Sequence, residues 1–164
     1  STWPKDEALL AKYIKENPAH NYIIAPHELQ HISALQKQTN ALLFSKADNT
    51  NFSNSNVLII DSIGILSNIY QYANIAYIGG GFGGGIHNIL EAVAFGLPVV
   101  FGPNYQKFNE ATELISQKGA ISISNYKELT SAIDFFSAFD KSIAINYIQE
   151  NSGATTKILN SIIT

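Results

Sequence analysis

The sequence predicts a doubly wound α/β domain with a mainly parallel sheet, and three observations support this prediction. Short apolar runs typical of strands alternate with amphipathic stretches of helical spacing. The run at residues 57–60 is uninterrupted, as expected of a central parallel strand covered on both faces. Polar and glycine-rich residues follow the ends of several runs, at the sheet edge where such folds bind ligands.

The composition fits one folded domain over residues 1–164 and excludes several classes of function. With 46% hydrophobic and only 14% charged residues, the chain lies outside the range of disordered proteins. Cys is absent, so disulfides and thiolate metal sites are excluded, and we expect neither a metal nor a cofactor. All 10 basic residues are Lys and the net charge is −3, which disfavours nucleic acid as a partner. No apolar run is long enough to span a membrane.

Helices and strands alternate through the first half of the chain. Ser1 or Thr2 is the predicted N-cap of a first helix, with Pro4 in its first turn and the acidic Asp6 and Glu7 following. Polar composition predicts a mobile loop at residues 46–56, and a turn follows the central strand at residues 61–64. The predicted strands are 22–25 (a buried strand), 41–44 (an edge strand) and 57–60, and the predicted helices are 4–16, 29–38 and 65–72.

The second half repeats the alternation. Gly96 suits the position after a helix end, and Pro98 follows it as a common helix stop. Gly153 is expected to break or kink the last helix. The predicted strands are 75–78, 98–101 and 120–124, and the predicted helices are 88–95, 107–117, 126–136 and 142–163.

Glycines dominate residues 79–85, hereafter the glycine loop, between a predicted strand and the helix at 88–95. Glycine permits positive φ and close approach of a ligand to the backbone, and a helix start offers N–H groups to an anion. Asn88 and Glu91 are three residues apart and therefore share a helix face. A carboxylate there is placed to accept hydrogen bonds from ribose hydroxyls, so we predict a sugar-nucleotide site.

The ordered motifs around this loop resemble a known family. They are Gly-Gly-Gly-Phe at 79–82, Gly-Gly-Ile-His-Asn-Ile-Leu-Glu at 84–91 and Phe-Gly-Leu-Pro-Val-Val-Phe-Gly-Pro at 95–103. Three further segments match in the same order: Ser-Thr-Trp-Pro at 1–4, Ala-Pro-His-Glu at 25–28 and Asp-Ser-Ile-Gly-Ile-Leu at 61–66. Together they are similar to the donor-binding half of the 3-deoxy-D-manno-octulosonic acid (Kdo) transferases, which are GT-B glycosyltransferases.

The resemblance implies an inverting enzyme that moves Kdo from CMP-Kdo to a lipid A precursor in lipopolysaccharide biosynthesis. It implies that the general base lies in an N-terminal acceptor-binding domain outside this chain, so no catalytic residue is expected here and the isolated domain should be inactive. The expected donor-binding residues are Pro26, His27, Gly64, Ile65, Leu66, Gly80, Gly81, Asn88, Ile89, Leu90 and Glu91.

Two positions depart from the family pattern. His27 stands where the family usually has Arg, and an imidazole neutralises phosphate less firmly than a guanidinium. Lys107 stands where the family tends to have Asn, and it is a candidate for the missing positive charge.

The absence of Met and the start at Ser1 suggest a piece of a longer protein. The resemblance places that protein at the cytoplasmic face of the inner membrane, with this domain soluble. Two alternatives stay open: a GT-B enzyme that uses a UDP-sugar, and a non-catalytic nucleotide-binding domain.

Several polar residues also have structural interpretations. Asn88 is a potential helix cap, whether or not it also contacts a ligand. A packing role is expected for His87, a surface location for His20 and His31, and an Asx turn for Asp61.

Overall fold

The computed structural model describes residues 1–48 and 55–152 and confirms the predicted α/β class. The strands are β1 (Tyr22–Ile24), β2 (Leu42–Leu43), β3 (Val57–Ile59), β4 (Ala76–Ile78), β5 (Val99–Phe101) and β6 (Ala120–Ser122). The helices are α1 (Pro4–Glu16), α2 (Ile32–Thr39), α3 (Leu66–Ile69), α4 (Leu90–Val93), α5 (Asn109–Ser116), α6 (Tyr126–Phe136) and α7 (Lys141–Asn151).

The strands form two 3-stranded parallel sheets, ordered β1-β3-β2 and β4-β5-β6. In the first sheet Ile24 lies opposite Ile59, and in the second Ile78 lies opposite Phe101. The N-terminal segment touches the end of one strand from each sheet. Thr2 forms a parallel bridge with Pro26 after β1, and the Ser1 carbonyl accepts a hydrogen bond from the Gly79 N–H after β4.

Strand β5 is buried on both faces, as its apolar sequence requires. Val99 and Phe101 belong to a cluster that includes α4, α5 and α7, whereas Val100 packs into a second cluster with α6. A third cluster covers the first sheet, where Val57 and Ile59 are buried. These clusters hold the strand ends, and therefore the loops that follow them, in fixed positions.

Five expectations about the elements need correction. The N-cap of α1 is Trp3, because the Ser1 hydroxyl bonds His87 and the Thr2 hydroxyl donates to Glu7. The helix predicted at 65–72 is divided into α3 and a 3-10 turn, and the helix predicted at 88–95 is reduced to the 4 residues of α4. Strand β1 is only partly buried, since Ile23 is 43% exposed.

The fifth correction concerns the C-terminal helix, which ends at Asn151. Residues 153–164, with the predicted continuation of this helix and the Gly153 kink, lie outside the described residues, as does most of the loop predicted to be mobile. Within the described ranges, no helix has the length and apolar character needed to cross a membrane.

Candidate nucleotide-sugar site

The glycine loop is tied to the N-terminal segment by a buried carboxylate. Asp6, only 1% exposed, accepts hydrogen bonds from the Gly80 N–H (3.0 Å), the Trp3 N–H (2.9 Å) and the Tyr77 hydroxyl (2.8 Å). Burial, followed by the charge of Asp6, raises the pKa of Tyr77, so this hydroxyl stays a donor. Asp6 therefore fixes where the loop leaves β4.

The first glycines of the loop are required by packing. Gly80 has φ +93°, and a Cβ there would lie 2.3 Å from the Gly85 carbonyl oxygen. A Cβ on Gly81 would lie 2.6 Å from the Gly102 nitrogen. Both residues are buried, and the Gly80 N–H already bonds Asp6, so it is not free for a phosphate. The sequence-based expectation that Gly80 and Gly81 contact the donor stays a prediction, and the structure explains both glycines without it.

The middle of the loop is open instead. Gly83 and Gly84 are exposed, and a Cβ built on Gly84 meets no heavy atom within 4 Å. The loop and the start of α1 enclose a cleft of about 500 Å³. Its walls are Trp3, Pro4, Lys5, Asp6, Gly80, Phe82, Gly83, Gly84, Gly85 and His87.

His87 connects the loop to the N-terminal segment through both ring nitrogens. The Trp3 indole N–H donates to Nε2 (2.9 Å), and Nδ1 lies 2.6 Å from the Ser1 hydroxyl oxygen. An indole can only donate, so Nε2 must be unprotonated and the imidazole hydrogen sits on Nδ1, from which it donates to Ser1. Burial lowers the pKa of His87, in agreement with this neutral tautomer. The ring has the packing role expected of it.

A pH dependence of stability follows from this neutral imidazole. The folded-state pKa of His87 lies below the usual 6.5, so the unfolded chain binds more protons and stability falls as the pH drops below that value. We expect the pH dependence of the melting temperature between pH 5 and 7.5 to be reduced in His87→Gln, which can still accept from Trp3 and donate to Ser1. An unchanged dependence in His87→Gln would contradict the tautomer assignment.

Pro26 and His27 follow β1 at the same edge of the fold. Pro26 is buried beside Thr2, whereas His27 is exposed and stacks on the Trp3 indole with ring centroids 4.2 Å apart. The His27 and His87 rings lie 5.0 Å apart. The structure therefore brings His27 to the glycine loop, with Trp3 as the connecting residue. Lys107, the candidate replacement for the family's Arg, is exposed and does not line the cleft among the described residues.

Asn88 and Glu91 lie on the exposed surface just past the loop. The side-chain oxygen of Asn88 accepts a hydrogen bond from the Leu90 N–H, and its side-chain amide donates one to a Glu91 carboxylate oxygen, both at 3.0 Å. The bond from the Leu90 N–H forms an Asx turn just before Ile89, the N-cap of α4, and explains why α4 starts two residues later than predicted. Gly96 with φ +75° ends the turn that follows α4. A helix of 4 residues has a small dipole, so the predicted positive helix end contributes little.

The neighbours of Glu91 are of mixed character. Ile89 is a core residue at 1% exposure and can reach a ligand only through its backbone, whereas Leu90 is partly exposed. Burial, followed by the Glu91 carboxylate, raises the pKa of Tyr70 to about 12. The negative charge of Glu91 therefore acts on the hydroxyl of Tyr70, the residue that follows α3.

The turn after β3 holds the other expected donor residues. Gly64 is exposed with φ +94° and open space around its Cα, while Ile65 and Leu66 are half-buried. The predicted Asx turn at Asp61 is replaced by a longer-range contact, because its carboxylate accepts from the N–H and hydroxyl of Ser45. These bonds lower the pKa of Asp61, beginning with the one from the Ser45 hydroxyl, and tie the ends of β2 and β3 together. His20 and His31 are exposed, as expected.

Sequence reasoning missed three residues at this site. In the sequence, Trp3 is part of a matched motif, Asp6 is an ordinary first-turn acid of α1, and no pattern singles out Lys5. The available signal was the match of Ser-Thr-Trp-Pro to the family, which placed the segment near the donor half without placing its side chains.

Comparisons with known proteins test the family resemblance and the fold. The Kdo transferase of Rickettsia bellii is 30% identical over 162 residues, which are 93% of this chain and 38% of that protein. The Kdo transferase of Aquifex aeolicus is 29% identical over 125 residues, 75% of this chain and 35% of that protein. The predicted resemblance to the Kdo transferases is confirmed. The present chain spans between a third and two fifths of the length of each of these two proteins. No protein-family model matches the chain.

The fold match covers most of the domain. The crystal structure of the C-terminal CMP-Kdo binding domain of WaaA from Acinetobacter baumannii superimposes with a TM-score of 0.72, over 92% of this chain and 84% of that one. At 19% sequence identity, this match establishes the fold, a Rossmann-like domain of the GT-B type.

Proposed function

We propose that this chain binds CMP-Kdo as the donor-binding domain of an inverting glycosyltransferase that transfers Kdo to a lipid A precursor. The observation that supports it most is the similarity to Kdo transferases over as much as 93% of the chain. The fold shared with a CMP-Kdo binding domain and the ordered motifs from Ser1 to Pro103 point the same way.

The chemistry of the proposed donor residues fits a nucleotide. The exposed Glu91 carboxylate can accept hydrogen bonds from ribose hydroxyls, and Asn88 already orients it. The open turn at Gly64, with the backbone of Ile65 and Leu66, can offer polar groups to the edge of cytosine. His27 is exposed beside the glycine loop, where a proton on its ring would favour the leaving phosphate.

The larger protein is part of the proposal. Residues 1–164 form the donor domain, and an N-terminal domain of the same protein supplies the acceptor site and the general base. Attack of the acceptor hydroxyl on the anomeric carbon breaks the bond to CMP, and this domain contributes by stabilising the departing phosphate. We place the full-length enzyme at the cytoplasmic face of the inner membrane and expect the isolated domain to be inactive.

A UDP-sugar enzyme is the second candidate, because the α/β fold alone does not select the base. A non-catalytic nucleotide-binding domain is the third. Each predicts a different outcome when nucleotides are compared directly.

Isothermal titration of the chain with CMP and with UDP tests the proposal. We expect CMP to bind at least roughly tenfold more tightly than UDP, since a site that hydrogen-bonds one base leaves polar groups unpaired with another. Tighter binding of UDP would favour the second candidate, and binding of neither nucleotide would refute the proposed function.

A further inference from the structure

The cleft between α1 and the glycine loop is adjacent to the proposed nucleotide residues but is a separate surface. Among its described lining residues, Gly80 is the one also expected from the sequence to bind the donor. The turn at Gly64 and the Asn88–Glu91 pair do not line it. Its volume of about 500 Å³ is large enough for a sugar ring with its substituents.

Two aromatic rings and open backbone form the walls. Trp3 is fixed by its stack on His27 and its hydrogen bond to His87, and Phe82 is half-buried in the facing loop. The C–H faces of a pyranose pack on such rings. Gly83 and Gly84 have no side chain to block close approach, and a Cβ built on Gly84 meets no heavy atom within 4 Å.

The charges at the cleft favour a ligand that carries a carboxylate. Lys5 is exposed and forms no ion pair with any residue that the structure describes. The other ionisable groups do not oppose an anion strongly. Asp6 is buried and its carboxylate already accepts three hydrogen bonds, and His87 is neutral. A ligand carboxylate that reaches Lys5 would therefore gain a charge-assisted hydrogen bond.

We propose that this cleft binds the acidic sugar of the donor, with Trp3 and Phe82 against the ring and Lys5 paired with the carboxylate. The inference deepens the proposed function and rests on it. It assigns the nucleotide and the sugar acid to the two sides of the glycine loop, and it makes Lys5 a specificity-determining residue that distinguishes an acidic from a neutral sugar.

The test follows backbone amide signals by NMR during separate titrations with free Kdo, a neutral pyranose and CMP. We expect Kdo to shift the amides of Phe82, Gly83 and Gly84. Lys5→Gln should weaken Kdo binding roughly tenfold, while Lys5→Arg retains it and CMP binds both variants as it binds the unsubstituted chain. Lys15→Gln, which removes an exposed lysine at the other end of α1, is the matched control and should change neither titration.

A second variant tests the location independently of charge. Gly84→Leu fills the cleft at a position with no steric conflict and without positive φ, so the fold should persist and Kdo binding should be lost. Three results would overturn the inference. Kdo could shift only the amide signals of residues 64–66 and 88–91, the neutral pyranose could bind as tightly as Kdo, or both Lys5→Gln and Gly84→Leu could keep full affinity for Kdo. The CMP titration is separate and tests the proposed function. If CMP does not bind, the proposed function is refuted whatever the result with Kdo.

Discussion

Asp6→Ala is expected to destabilise the protein by about 3–5 kcal/mol, the largest effect of any single substitution considered. The substitution removes a buried acceptor from three donors: the buried N–H of Gly80 and the partly buried N–H of Trp3 and hydroxyl of Tyr77. It also disconnects the N-terminal segment from the glycine loop. Chemical denaturation measured by circular dichroism checks the loss.

Two variants make this prediction specific. Asp6→Asn keeps one oxygen for the two N–H donors, and the Tyr77 hydroxyl can rotate to accept from the new amide, so the loss should be closer to 1 kcal/mol. Glu150→Ala removes an exposed carboxylate from α7 and should change stability by less than about 0.5 kcal/mol. A loss for Asp6→Ala no larger than that for Glu150→Ala would show that the buried carboxylate does not hold the loop.

Glu91→Ala is expected to reduce CMP affinity about tenfold to a hundredfold, because hydrogen bonds from ribose hydroxyls to a charged acceptor are lost. Transfer by the full-length enzyme should fall with it. The fold should persist, since Glu91 is exposed and the described structure gives its side chain one hydrogen bond, from Asn88. Isothermal titration with CMP and a melting curve on the same sample separate the two effects.

The matched control for Glu91→Ala is again Glu150→Ala, which should bind CMP as the unsubstituted chain does. Asn88→Ala is informative beside it. Its loss frees the Leu90 N–H and the Glu91 carboxylate, so CMP binding should weaken less than in Glu91→Ala. Unchanged CMP affinity in Glu91→Ala would remove this residue from the site.

The strands were predictable because each is encoded by a short apolar run of neighbouring residues. The continuous apolar runs at β3 and β5 pair in parallel, as the sequence indicated, and β5 is buried on both faces. In β3, Leu58 is only half-buried, so the burial expected on both faces is incomplete there. Helix α6 has the predicted bounds, since the Asn125 side chain caps it by accepting from the Glu128 N–H. The left-handed Gly96, in the turn after α4, was also predictable, because glycine is the residue that most readily adopts positive φ after a helix.

The contacts that shape the site were not predictable, because they join residues far apart in sequence. Asp6 meets Gly80 and Tyr77, and Trp3 meets His87, across more than 70 residues. No periodicity encodes such a pair, so Asp6 looked like an ordinary first-turn acid. The spacing of apolar residues also could not predict that α4 is short, because the hydrogen bond from the Leu90 N–H to the Asn88 side chain competes with helix formation.

A crystal of the chain soaked in CMP would show the nucleotide site itself. We expect CMP at the carboxyl ends of the strands, with its ribose hydroxyls within hydrogen-bond distance of the Glu91 carboxylate and its base at the turn that contains Gly64. CMP bound elsewhere, or a soaked crystal in which Glu91 contacts no nucleotide, would contradict this expectation.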